Sequence, residues 1–256
     1  MMKIKYFLSF MVIVFSSSTV VAEEYDAVLA WTERVELGVL TNGVIKQVAV
    51  NTGQRVKKDQ LLLKLDERVF VADVKHAQSD VKKTQEMLTE AKHELDRVEE
   101  LYNRTVSSET ELVHANLGYT KALAEEKKAQ AVLARKRSVL KYSAIHAPFD
   151  GVVLARNVSE GQTVISTLQS QPMITMAATG RMLARITVDL EKSQHMTIGK
   201  KAEIKVNGKT FNGSVYFVGL EPASFKDNVA QYNVDVGFSD FGETLRAGQK
   251  AKVLFP

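Results

Sequence analysis

The sequence predicts a mainly β protein carrying a long α-helical coiled-coil hairpin: a small β-sandwich split open by the hairpin and followed by a small antiparallel β-barrel. Three observations predict it. A short β motif occurs twice, far apart in the chain; a helical stretch with a seven-residue apolar repeat lies between the copies; and the C-terminal part alternates apolar and polar residues.

With 45% apolar and 25% charged residues over 256 positions, the composition is that of a soluble globular protein with room for one or two domains. The chain has no cysteine, which excludes disulfide scaffolds, thiolate zinc sites, iron-sulfur clusters, cysteine nucleophiles and lipid attachment through a thiol. The formal charge is +4 and falls to +2 once Lys3 and Lys5 are set aside, so a nucleic-acid partner is not indicated.

Residues 1–22 read as a secretory signal: Lys3 and Lys5, an apolar run from Tyr6 to Phe15, then Val20-Val21-Ala22 with small residues suited to cleavage after Ala22. The alternative is a retained anchor, since Tyr6 to Ala22 reaches the lower limit of a bilayer span. Both readings place the rest of the chain outside the cytoplasm.

Residues 23–66 are expected to hold an N-terminal strand and the first half of the sandwich. Gly43-Val44-Ile45 is followed by Val50, Gly53, Gln54 and Val56, and Gly151-Val152-Val153 by Val158, Gly161, Gln162 and Val164 at the same offsets. Each copy reads as a strand, a turn that needs glycine, and another strand with valines to one side. Neither copy can bury its own apolar face, so the two are expected to pack together as in biotinyl and lipoyl carrier domains. Such carriers link their halves by a tight turn bearing a modified lysine. Here Leu65-Asp66 runs into a helical pattern instead, so Lys64 is expected to be an ordinary outward strand residue.

Residues 67–142 form the expected hairpin. Between Val69 and Lys141 there is no proline and only one glycine, Gly118, so the sole turn falls near Thr105 to Ser108. Val74, Val81, Leu88, Leu95 and Tyr102 repeat every seven residues, with Ala77, Thr84, Ala91 and Val98 three places later, which is an a/d seam. On the return arm Leu112, Tyr119, Leu133 and Leu140 share a register that Glu126 interrupts, accompanied by Ala115, Ala122 and Ala129. Each arm is expected to extend about 50 Å. The charge clusters on it, such as Lys82-Lys83, read as solvated faces or as contacts between neighbouring hairpins.

The second half of the sandwich is expected over 143–179 and the barrel over 180–256. In the latter, Ala184, Ile186 and Val188 alternate with polar residues, as do Ala202, Ile204 and Val206; Asn207-Gly208 turns the chain into a strand from Thr210 to Val218, and further strands contain Tyr232 to Val236 and Ala251 to Phe255. Strands with one dry face close on themselves to avoid exposed edges.

This order of parts resembles the periplasmic adaptor family, also called membrane fusion proteins (HlyD and RND efflux adaptors), of Gram-negative efflux and secretion machines. Gly43 to Asp66 is similar to the family's first lipoyl half, with Val56-Lys57-Lys58-Asp59-Gln60-Leu61 and Leu65-Asp66; Ile145-His146-Ala147-Pro148-Phe149-Asp150-Gly151-Val152-Val153 is similar to its return strand. Asp59 stands where the family usually has glycine. At the hairpin tip the family carries an arginine, a leucine four residues on and a serine seven beyond that, used to meet an outer-membrane channel. Arg97, Leu101 and Ser108 have that spacing, while Val113 stands where an acidic residue is common. The other reading of these residues is an exposed helix arginine and a helix N-cap. Glu191 with Ile198 and Gly199, and Leu245 to Gln249, resemble barrel motifs of the family.

The resemblance implies a non-enzymatic subunit without cofactor that assembles as a homo-oligomeric ring and joins an inner-membrane RND-type transporter to a TolC-type outer-membrane channel. An adaptor of an ABC exporter or type I secretion system would use the same parts. Many relatives add a membrane-proximal domain from segments flanking the sandwich and barrel; both are short here, so the barrel is expected to meet the transporter.

Three other chemistries are weighed against these. The histidines at 76, 93, 114, 146 and 195 show no ligand spacing on a common face. Ser143, His146 and Asp150 crowd one extended segment and cannot form a triad. Met173, Met176, Met182 and the pair His195-Met196 could serve as soft ligands for Cu(I) or Ag(I) in a metal-binding chaperone, with core packing as the alternative.

Overall fold

The computed structural model describes residues 23–165, 172–240, 242 and 245–256; the expected signal segment lies outside them. Two compact units result, one of residues 33–179 and one that joins the segment before residue 33 to residues 180–256.

The first strand, β1 (Glu23–Trp31), corrects the sequence reading. Grouped there with the sandwich half over 23–66, it instead pairs with C-terminal strands, placing Leu29 opposite Ala184 and Tyr25 opposite Val253. Its alternation explains this. Ala27 and Leu29 are buried while Asp26 and Val28 face solvent, and such a strand stabilises a barrel by sealing the gap between two edges.

The sandwich unit begins with β2 (Arg34–Leu37), β3 (Gly43–Val48), β4 (Arg55–Val56) and β5 (Leu61–Leu65), is interrupted by helices α1 (Arg68–Asn103) and α2 (Glu109–Lys141), and resumes with β6 (Ala144–His146), β7 (Gly151–Arg156), β8 (Thr163–Val164) and β9 (Ile174–Ala178). Its two four-stranded sheets run β2-β9-β7-β4 and β6-β5-β3-β8. Each sheet therefore draws strands from both sides of the hairpin. Ile45, Leu62, Leu63, Leu65, Val153 and Ile174 meet in one core, none more than 1% exposed. The repeat is expressed as reciprocal bonding: the Gly53 amide donates to the Val153 carbonyl at 2.8 Å, and the Gly161 amide to the Ile45 carbonyl at 2.9 Å. Gly53 and Gly161 both adopt positive φ, +83° and +82°, which is why both copies place glycine there.

Asp59 has a φ of 63°, and its amide donates to the Ala147 carbonyl at 2.8 Å. The left-handed turn is thus kept with aspartate, one of the few side chains tolerated there. Lys64 is half-buried within β5.

The heptad seam is occupied as the spacing implies. Val74, Ala77, Leu95 and Val98 of α1 are buried, and Val81, Thr84, Leu88 and Ala91 are half-buried. Tyr102 departs from it, being 39% exposed at the last turn, where Leu101 turns inward instead. On α2 the register continues through Glu126, which is only 3% exposed. Fully burying one aliphatic side chain contributes about 1.5–3 kcal/mol, so a stripe this narrow holds the arms with little surplus. Lys136 adds an ion pair across the arms to Asp73.

The second unit continues with β10 (Arg181–Asp189), helix α3 (Leu190–Gln194), β11 (Lys201–Val206), β12 (Lys209–Lys226), β13 (Val229–Ser239) and β14 (Lys250–Phe255), closing in the order β1-β10-β13-β12-β11-β14. Alternate residues fill its interior, among them Leu29, Ile186, Ile204, Val234, Val236 and Val253. On the opposite face Asp235, 5% exposed, accepts two hydrogen bonds from Arg185 at 2.7 and 2.8 Å.

Candidate functional site

The tip of the hairpin is built by the way α1 stops and α2 starts. Four amides close α1 onto its last carbonyls: Arg104 donates to Glu100, Thr105 to Tyr102, and Val106 and Ser107 to Leu101. Thr105 takes a φ of 60°, ending the helix in a left-handed residue. After two more residues Ser108 caps α2 with a capping box: its hydroxyl oxygen accepts from the Glu111 amide at 3.3 Å, and the Glu111 carboxylate accepts from the Ser108 amide at 2.8 Å.

One flank of the tip-proximal half forms a groove between the helices, with a volume of about 860 Å³. Its floor is apolar and partly small: Ala91, Val98, Leu101, Ala115, Gly118 and Ala122. Glu90, Glu94, Glu111 and Glu125 line it alongside Arg97 and Lys121. At its mouth Val106 is 72% exposed. Small residues on the floor let another backbone approach closely, while the charged border fixes orientation rather than adding much affinity.

Of the three residues singled out by spacing, Arg97 and Leu101 come together here, four apart on one helix face. Ser108 does not line the groove; its hydroxyl is occupied by the cap, donating to Glu111 Oε2 at 3.1 Å, and its neighbour Ser107 lines the groove instead. Ser107 donates to the same Glu111 oxygen at 2.6 Å. These hydrogen bonds from Ser107 and Ser108 hold the Glu111 carboxyl below the usual carboxylate range.

Arg97 is held from one side. Its Nε donates to Glu94 Oε2 at 2.8 Å and its Nη2 to Glu94 Oε1 at 2.6 Å. This bidentate contact raises the guanidinium pKa and lowers that of the Glu94 carboxyl, and Glu111 adds a weaker Coulombic attraction for Arg97. Glu94, Ser107 and Glu111 were not singled out from sequence. Only Glu111 carried a local signal, the serine to glutamate spacing of a capping box.

The residues weighed for other chemistry lie elsewhere. Met173 and Met176 are fully buried in the sandwich core, whereas Met182 and Met196 sit in the barrel core, so the methionines are split between two apolar interiors. Ser143 Oγ donates to the Leu140 carbonyl at 2.7 Å, and Asp150 accepts from the Lys58 amide at 2.7 Å. Among the described residues no group of three histidine, aspartate or glutamate side chains is placed to hold a metal ion, and no helix is long and apolar enough to cross a membrane.

A family model described as RND MFP, barrel-sandwich hybrid domain, matches residues 33–177, the split sandwich together with its hairpin. The macrolide export protein MacA of Escherichia coli O157:H7 is 27% identical over 218 residues, covering 78% of this chain and 58% of the relative. The cobalt-zinc-cadmium resistance protein CzcB of Cupriavidus metallidurans is 25% identical over 184 residues, covering 69% of this chain and 34% of the relative. The chain thus spans little more than half the length of the first and a third of the second. In fold, a membrane fusion protein of Streptococcus pneumoniae superposes with a TM-score of 0.72 at 13% identity, covering 91% of this chain and 98% of that one.

Proposed function

This chain belongs to the RND membrane fusion protein family, and from that premise we propose that it is the periplasmic adaptor subunit of a tripartite efflux pump, linking an inner-membrane RND-type transporter to a TolC-type outer-membrane channel. It works without catalysis or cofactor, as a structural conduit component in a homo-oligomeric ring. The observation that carries this reading is the placement of Arg97 and Leu101 on one grooved flank at the tip of a hairpin about 50 Å long. A rod of that length rising from a β-sandwich suits a task of reaching rather than of chemistry.

Docking at the tip follows from the groups available. Arg97 offers directed donors to acceptor oxygens such as the exposed carbonyls at a helix end, and Leu101 with Val106 supplies apolar contact beside it. Transport energy comes from the transporter. The RND reading of the motor is supported by the description of the matched family model.

Because the chain has no cysteine, one introduced at the exposed Val106 position gives a unique crosslinking handle. Val106→Cys is expected to capture a TolC-type channel protein in cells. Capture of none, with the variant folded and exported, overturns the channel assignment. Copurification with an ATP-driven exporter in place of an RND transporter would move the motor to the ABC or type I alternative.

A further inference from the structure

The pairing at the tip extends the docking reading to a residue outside the spacing pattern. We propose that Glu94 is a positioning residue of the docking site, holding the Arg97 guanidinium in the plane and direction in which it meets the partner's acceptor oxygen. The inference rests on the proposed docking role of the tip.

Arg97 lies 60% exposed on a helix surface, where an unrestrained arginine samples many rotamers. Most surface ion pairs do little to restrict such a side chain, but a bidentate arginine-carboxylate contact is the exception, because two parallel hydrogen bonds fix the plane as well as the position. Here both bonds use the Nε and Nη2 edge. Nη1 and the second N–H of Nη2 are left over, so the donors available to a partner lie on the edge facing away from Glu94. Glu94 also lines the same groove as Arg97 and Leu101, which puts the clamp inside the docking flank and not behind it. The contact is local, between residues three apart in one helix. It therefore survives whatever the loop at 104–108 does, and Arg97 is preorganised before any partner arrives.

Removing the carboxylate should leave the helix intact but let Arg97 wander, so that binding must then immobilise it. Immobilising one such side chain corresponds to about a three- to tenfold loss of affinity. The test uses the full chain and a purified TolC-type channel protein in detergent, with affinity measured for wild type, Glu94→Ala, Arg97→Ala and the double variant, and helix content followed by circular dichroism.

The expected result is a loss of about three- to tenfold for Glu94→Ala, a larger loss for Arg97→Ala, and a double variant no weaker than Arg97→Ala alone. Glu94→Gln, which keeps one acceptor, should fall between wild type and Glu94→Ala. A Glu94→Ala effect that persists at full size in the Arg97→Ala background overturns the positioning role, as does undiminished affinity in Glu94→Ala. If Arg97→Ala itself binds as tightly as wild type, the docking reading fails, an outcome distinct from failure of the clamp alone.

Discussion

Gly53 donates its amide to the carbonyl of Val153 at 2.8 Å, although the whole helical hairpin separates them in sequence. Gly161 and Ile45 make the matching bond in the other direction. Each half of the sandwich thus finishes the other's hydrogen bonding, and the hairpin can leave and return only because the body closes behind it.

The two strand-leading glycines should differ in tolerance despite their equivalent places in the repeat. A Cβ on Gly151 would collide with the Ala177 carbonyl oxygen and stand 2.9 Å from Met176 Cε, whereas a Cβ on Gly43 meets the Leu65 side chain and no backbone atom, with Leu65 Cδ1 at 3.0 Å. Gly151→Ala is expected to destabilise the sandwich by about 3 kcal/mol and Gly43→Ala by about 1 kcal/mol or less. Urea unfolding followed by fluorescence of the lone Trp31 would miss this, since Trp31 packs in the barrel unit. Hydrogen exchange of the β7 amides is the suitable probe.

Glu126 sits in the seam with Oε2 lacking a hydrogen-bond partner, near Lys127 at 3.4 Å. Its other oxygen accepts from Gln130. Replacing it by leucine continues the a/d stripe of α2 and is expected to stabilise the hairpin by about 1–4 kcal/mol, as seen when buried charges give way to packed apolar groups. A lower thermal midpoint for Glu126→Leu by helix-monitored melting would show that the carboxylate contributes something the seam needs.

Ser108 acts through its cap. Ser108→Ala is expected to fray the first turn of α2 at a cost of about 1 kcal/mol, while Ser108→Asp, another good cap, should be nearly neutral. If channel capture by Ser108→Asp matches wild type while Ser108→Ala weakens it, the serine orders the tip without touching the partner. Weakening of capture by both variants alike would assign the hydroxyl a direct contact.

Acid should loosen the entry to α1. Hydrogen bonds from the Arg68 side chain and amide pull the Asp66 carboxyl down to about 2. A folded-state value below the unfolded one contributes stability that is complete above about pH 4 and lost as the pH falls through about 2. Solvent exposure keeps the effect small. Comparing wild type with Asp66→Asn from pH 5 to pH 2, the stability difference should shrink toward zero; a constant difference would mean the pair does not titrate with folding.

The sequence by itself determined the kinds of element and their order. The copies at Gly43 and Gly151, the seam from Val74 to Val98 and the alternation from Ala184 to Val188 are all periodic signals, and periodicity reports which side of an element must be dry. It could not report which dry sides meet. That β1 closes the barrel, that each sheet mixes strands from both halves, and that Arg97 is clamped by Glu94 while Ser108 turns to Glu111 were decided in three dimensions. The physical reason is that burial constrains a strand's face but not its neighbour, and a surface side chain's direction depends on the hydrogen bonds around it rather than on its spacing along the chain.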